Sequence, residues 1–294
     1  MDMQPVCDGL RFPEGPIAIS DGSVILGEVQ GQALTRVWPD GHKEVLVETG
    51  GGPNGAAVGP DGAIWIANNG GAFFHPDTYR GGFIQRYDLA TGALVTVYEA
   101  CDGERLIAPN DLVFDAQGGL WFTDHGRPTE DGRQFGALYY CKPDGSLISR
   151  QRKRLLSPNG VGLSPDEKTL YVADTEMGRL WAFDVAEPGR LVPQDRHVPG
   201  RVVANLPGLQ WLDSMAVEAG GKICVATLDW KGQGGITVFD PSGSMELVAT
   251  PDPVTTNICF GGADMRDAWI TGSAEGKLYK CRWPRPGLKL NFNA

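Results

Sequence analysis

Six short segments of this chain open alike, starting at Glu14, Asn54, Asn110, Asn159, Asp213 and Asn257. Each begins with an oxygen-bearing side chain and continues as a run of small and apolar residues. A turn rich in Asp and Gly follows, then a second, more strongly apolar run. The copy at Asn110 reads Asn110-Asp111-Leu112-Val113-Phe114-Asp115, then Gly118-Gly119, then Leu120-Trp121-Phe122-Thr123-Asp124. Successive starts lie 40, 56, 49, 54 and 44 residues apart. A period of this size, with strands and turns inside each copy, is the mark of a β-propeller. The expectation is therefore an all-β, six-bladed β-propeller over residues 1–294, read as one domain, with a metal site at one end of the central channel.

The remaining composition fits. The 41 glycines among 294 residues are about twice the usual share and punctuate the strands. Helical periodicity is essentially absent, while alternation and β-branched or aromatic enrichment recur. Residues Val6–Leu10, ahead of the first copy, are expected to add an outer strand to the last blade and so cover a free edge. The net charge of −10 argues against nucleic acid and anionic membranes as partners. The first residues show no basic-then-apolar leader pattern, which makes a cytoplasmic location the expectation. The six cysteines are scattered without a CxxC and read as reduced, although a Cys7–Cys281 bridge closing the ring is conceivable.

Equivalent positions in a rotational repeat lie on one ring. If every inner strand starts at the same end, Glu14, Asn54, Asn110, Asn159, Asp213 and Asn257 converge there. Converging polar groups are costly to bury unpaired, and a hard divalent cation would satisfy them. All six donors are oxygens, which suits Ca²⁺ or Mg²⁺ better than structural zinc. Asn and Asp also start strands for purely structural reasons, so the inference rests on all six positions together. The ends of the second strands should rim the same mouth: Glu28, Asn68, Asn69, Asp124, His125, Asp174, Leu228-Asp229-Trp230 and Gly272-Ser273. Asp124 and His125 are the candidate substrate contacts among them, with Asn54, Asn110 and Asn257. The loop Phe73–Tyr79 and Trp230 are candidates for an aromatic lid. No Gly-x-Ser-x-Gly elbow, P-loop or HExxH occurs. The basic run Arg150–Arg154 reads as a solvated outer strand or turn.

The segments Phe12-Pro13-Glu14-Gly15-Pro16, Ala108-Pro109-Asn110-Asp111, Ser157-Pro158-Asn159-Gly160, Asp213-Ser214-Met215-Ala216-Val217 and Thr256-Asn257-Ile258-Cys259-Phe260-Gly261-Gly262 resemble the senescence marker protein, gluconolactonase and luciferin-regenerating enzyme family. The resemblance implies a six-bladed propeller and one divalent cation, Ca²⁺ first, with Mg²⁺, Mn²⁺ or Zn²⁺ as alternatives. It implies Glu14, Asn110, Asn159 and Asp213 as the ligands and Asp213 as the general base. It further implies hydrolysis of a sugar lactone, a small-molecule substrate, to the sugar acid. Where animal lactonases of this family place a sugar-contacting Arg, two residues before the third-blade Asn, this chain has Ala108. Two other readings use the same ring: a non-catalytic, metal-stabilised propeller that binds a partner, and an esterase or organophosphate hydrolase.

Overall fold

The computed structural model describes residues 1–194 and 197–293. Among these residues every regular element is a strand. Six antiparallel sheets follow one another along the chain, each a meander running from an inner strand outward. The inner strands are Pro13–Ala18, Pro53–Val58, Pro109–Phe114, Pro158–Leu163, Trp211–Val217 and Thr255–Gly261. They pack side by side around the axis. The chain is a six-bladed β-propeller, as the repeat predicted.

Ring closure also follows the expectation. Gln4–Cys7 lies antiparallel to Lys277–Arg282 as the outer strand of the sixth blade, so the first and last residues of the fold share one sheet. All six cysteines are free, so pairing of strands, and not a Cys7–Cys281 bridge, closes the ring. The basic run falls on Ile148–Leu155, the outer strand of the third blade.

The core is divided as the architecture demands. Each blade is apolar on both faces and meets its neighbour through one cluster. Trp65, Leu112, Phe114 and Phe122 join blades two and three. Trp121, Val161, Leu170 and Phe183 join blades three and four. Leu26, Trp269 and Leu278 join blades six and one. Trp65, Trp121 and Phe122 are fully buried; each such side chain contributes roughly 1.5–3 kcal/mol or more by leaving water.

Two local features place the start of each inner strand. Four of these strands open on proline, Pro13, Pro53, Pro109 and Pro158. Proline is tolerated at the first residue of a strand because it has no ladder hydrogen to lose. Immediately after, the register of the inner strand against its partner slips in all six blades, for example between Glu14 and Ile17, Pro109 and Leu112, and Leu212 and Met215. A bulge re-aims a side chain, and here it sits at the repeat-opening residue.

Candidate metal centre and its mouth

The bulged starts of the six inner strands lie shoulder to shoulder. A Cβ on Gly15, which has φ +54°, would come within 2.3 Å of the Asn54 carbonyl oxygen. One on Gly55 would meet the Asp111 Cα at 2.6 Å, and one on Gly160 the Asp213 carbonyl oxygen at 2.6 Å. Glycine after the ring residue therefore lets neighbouring strands approach closely enough for the ring side chains to converge.

Those side chains are buried: Glu14 is 1% exposed, Asn110 2%, and Asn54, Asn159, Asn257 and Asp213 are also buried. Asn257 closes the circle by donating Nδ2–H to Glu14 Oε2 at 2.7 Å, and the Gly15 amide donates to the same oxygen at 2.6 Å. Asn159 donates to Thr175 Oγ1 at 3.1 Å and accepts from Ser214 Oγ at 3.3 Å. Three ring oxygens are left buried with no partner: Glu14 Oε1, Asn54 Oδ1 and Asn110 Oδ1. Buried acceptors are almost always satisfied, so orphans at three matched positions mark a place built for a ligand. Among the described residues no three His, Cys, Asp or Glu side chains gather as a metal cluster. The donors of this ring are mostly amide oxygens, which suit a hard cation.

The electrostatics point the same way. Burial, then the Asp213 charge, raises the Glu14 carboxyl well above the ordinary range, against hydrogen bonds from Asn257 and Gly15. Burial pushes Asp213 up to about 7, opposed by Asn159, with the Asp111 charge adding to the rise. Asp111, which sequence reasoning left out of the site, is a third buried carboxylate here. It accepts the Leu112 amide at 2.9 Å and the Val161 amide at 3.1 Å, and burial raises it to about 7. The signal was its position: Gly15, Gly55, Gly160 and Ser214 occupy the same place in four other blades, so a carboxylate there is out of pattern.

The second-strand ends correct one expectation. Asp124 does not offer its carboxylate to the mouth. It is 1% exposed and accepts the amides of Ile107 at 2.7 Å, Ala108 at 2.8 Å and Gly126 at 3.0 Å. It holds the loop that leads into the third inner strand. Glu28 does the same with the Arg11 amide, Asn68 with Gly52 and Gly70, and Asp174 with Ser157. In the sixth blade the geometry is reversed: Asp252, ahead of the inner strand, accepts the Val254 and Glu275 amides. In these five blades the side chains are clamps that fix where the ring residue enters its strand.

His125 is at the mouth, buried, with its amide donating to the Ala108 carbonyl. Arg133 Nη2 donates to its Nδ1 at 2.9 Å. Burial and the Arg133 charge lower the imidazole pKa to about 3, so the ring is neutral. Phe73 stands edge-on to it, with ring centroids 5.2 Å apart.

The opposite end of the channel is crossed by the C-terminal segment. The Leu288 amide donates to the Val217 carbonyl, and Asn291 Nδ2 to Glu167 Oε1 at 2.7 Å. Phe292 packs on Phe114. Between this segment and the ring lies a cavity of about 180 Å³, walled mainly by apolar residues such as Leu112, Val161, Met215 and Leu288.

Residues 12–274 match the SMP-30/Gluconolactonase/LRE-like region family. The chain belongs to that family. It is 26% identical over 292 residues to a gluconolactonase of Zymomonas mobilis, an alignment covering 88% of this chain and 76% of that one. A lactonase drp35 of Staphylococcus saprophyticus is 35% identical over 136 residues, covering 46% of this chain and 39% of the relative. Among solved structures, a gluconolactonase from Xanthomonas campestris superposes with a TM-score of 0.77 at 27% identity, covering 96% of this chain and 89% of that one. Among the described residues no helix is long and apolar enough to cross a membrane.

Proposed function

We propose that this chain hydrolyses a lactone to the hydroxy acid with a divalent cation in the ring. The observation that carries the reading is the set of unpartnered buried oxygens on Glu14, Asn54 and Asn110. Glu14, Asn110, Asn159 and Asp213 would hold the ion, with Ca²⁺ expected first and Mg²⁺, Mn²⁺ or Zn²⁺ as alternatives. Bound there, it supplies electrophilic polarisation of the lactone carbonyl and acidifies water.

The chain's own groups do the rest. Asp213 orients the attacking water and accepts its proton. As the acyl–oxygen bond breaks, that proton passes to the ring oxygen, leaving the hydroxy acid. Glu14 balances the positive charge, and Asn257 fixes the Glu14 carboxylate by its hydrogen bond. Asn54 and Asn110 present amide oxygens toward the axis, and the neutral His125 borders the mouth. Lactonase relatives support the class of reaction, and the gluconolactonases among them make aldonolactones the first compounds to assay. The cytoplasm remains the proposed location.

The test is a pH-drop assay on aldonolactones and simple lactones, with protein stripped of metal and reloaded with each ion. The expected result is metal-dependent opening well above the spontaneous rate, lost by about a thousandfold in Asp213→Asn with the circular dichroism spectrum unchanged. Undiminished turnover by Asp213→Asn removes its role as base. Absence of turnover with every ion and lactone removes the reading.

A further inference from the structure

Beside the ring stands a second set of matched positions. The residue after the second strand donates its amide to the carbonyl just ahead of the inner strand: Val29 to Phe12, Asn69 to Gly52, His125 to Ala108, Thr175 to Ser157 and Ser273 to Val254, all at 2.9–3.0 Å. One backbone bond, repeated in five blades, gives these five side chains equivalent places. Blade five departs, with the Asp229 amide on the Pro253 carbonyl. In blade four the place touches the ring itself, where Asn159 Nδ2 donates to Thr175 Oγ1 at 3.1 Å. In blade six the Ser273 hydroxyl donates to the Pro13 carbonyl, next to Glu14, at 2.8 Å. In blade one the residue is apolar Val29.

Blades two and three differ. Asn69 Oδ1 accepts the Gly71 amide at 2.9 Å, which leaves Nδ2 buried with no partner. That nitrogen lies over the entry of its own inner strand: a Cβ on Gly52, two residues before Asn54, would come within 2.8 Å of it. In His125 the Arg133 guanidinium, which can only donate, holds Nδ1 as an acceptor at 2.9 Å. The imidazole hydrogen is therefore on Nε2, an atom with no hydrogen-bond partner among the described residues. Phe73, four residues after Asn69, packs edge-on against His125 with ring centroids 5.2 Å apart, so the two side chains belong to one sector of the mouth.

The ring residues of the same two blades, Asn54 and Asn110, leave their Oδ1 atoms unpaired. With Asn110 Oδ1 given to the cation, blade two keeps one unmet acceptor, Asn54 Oδ1, and one unmet donor, Asn69 Nδ2, where blade four pairs Asn159 with Thr175. Polar groups left buried without partners are costly. A hydroxyl donates and accepts at once, whereas a carboxylate only accepts and a hydrocarbon does neither.

Resting on the lactone-hydrolase reading above, we infer that Asn69 is a specificity residue: with Asn54 it binds a hydroxyl of the substrate, Asn69 Nδ2 donating to the hydroxyl oxygen and Asn54 Oδ1 accepting its hydrogen, while His125 Nε2–H donates to another oxygen of the same substrate. Neither Asn69 nor His125 takes part in breaking the ester bond. Arg133 is a positioning residue, since it sets which imidazole nitrogen carries the hydrogen.

The test compares δ-gluconolactone with δ-valerolactone, a six-membered lactone without hydroxyls, on full-length protein loaded in turn with Ca²⁺, Mg²⁺, Mn²⁺ or Zn²⁺, each rate corrected for spontaneous opening. Wild type is expected to favour δ-gluconolactone in kcat/KM by about a hundredfold or more. Asn69→Asp keeps the oxygen that accepts the Gly71 amide and replaces only the donor. It should lower that ratio about tenfold, chiefly through KM, and the charge it adds acts on both lactones alike. His125→Phe, which keeps a ring against Phe73, should lower the ratio by a similar factor. Nitrogen NMR should show His125 as the Nε2–H tautomer in wild type and as a mixture of tautomers in Arg133→Met. A wild-type preference for δ-valerolactone, a ratio unchanged in either variant, or an Nδ1–H tautomer in wild type overturns the inference and leaves lactone hydrolysis standing. Failure to open either lactone with any of the ions overturns both.

Discussion

Glu14 and Glu218 are both 1% exposed, and they lie at opposite ends of the inner strands. Glu218 is fully matched. Its Oε1 accepts Trp283 Nε1–H at 2.7 Å, and its Oε2 accepts from Arg285 at 2.6 Å. Glu14 shares one oxygen between Asn257 and Gly15 and leaves the other with nothing. The same residue type, equally buried, therefore does two jobs. At the far end a paired carboxylate fastens the C-terminal segment across blade five. At the open end a carboxyl with one unmet oxygen stands where a cation would complete it. Burial alone does not mark a functional carboxylate; burial with an unmet partner does.

Substitutions at these two positions should separate the roles. Glu14→Gln removes a ligand charge and should lower divalent-cation affinity by at least about tenfold, with turnover falling in parallel. The metal-free protein should be as stable as wild type or more so, because Gln does not carry the cost that burial and the Asp213 charge place on ionising Glu14. Cation binding measured by calorimetry and chemical denaturation in chelator read the two effects. Glu218→Gln should do the opposite. It weakens charge-assisted hydrogen bonds to Trp283 and Arg285 and should cost about 2 kcal/mol of stability, discounted from a fully buried pair because Arg285 is half-exposed. Cation affinity should not change.

The clamps give a smaller, intermediate case. Asp124→Ala leaves the Ile107, Ala108 and Gly126 amides without their acceptor and should cost about 1–3 kcal/mol. It should also loosen the entry of Asn110, so cation affinity should fall modestly, by less than in Glu14→Gln. Equal affinity in Asp124→Ala and wild type would show that the clamp and the ring are uncoupled.

The smallest effect expected is in pH. The folded, metal-free protein holds Asp213 near 7, above the usual carboxylate value of about 4. A raised carboxyl pKa favours the protonated folded state. Its contribution is fully present below about pH 4 and is lost as pH rises through about 7. In chelator, the melting temperature of wild type should therefore fall between pH 5 and pH 8, by on the order of a few degrees more than that of Asp213→Asn. Identical pH profiles for the two would contradict the burial of an ionisable carboxyl at this position.

The repeat made the fold legible because every blade solves the same problem in the same order: an oxygen donor, an apolar run, a turn and a second apolar run. The ring was legible for the same reason. The second-strand acids were not, because Asp124 and Asp174 look in sequence like Glu14 and Asp213. Only the register shows that strand ends face backbone amides while bulged strand starts face the axis. Asp111 was hidden next to Asn110, inside a motif read for its neighbour. The segment that crosses the far end was invisible, since Leu288 to Asn293 belong to no repeat and carry no pattern of their own.

The measurement closest to the central claim is a thermal melt of metal-stripped wild type, Glu14→Gln and Glu218→Gln, each with and without saturating Ca²⁺. The unpaired oxygens of the ring predict that Ca²⁺ raises the midpoint of wild type and of Glu218→Gln by similar amounts and that of Glu14→Gln by distinctly less. An equal rise in all three, or no rise in wild type with Ca²⁺, Mg²⁺, Mn²⁺ or Zn²⁺, would contradict a cation site at the mouth of this propeller.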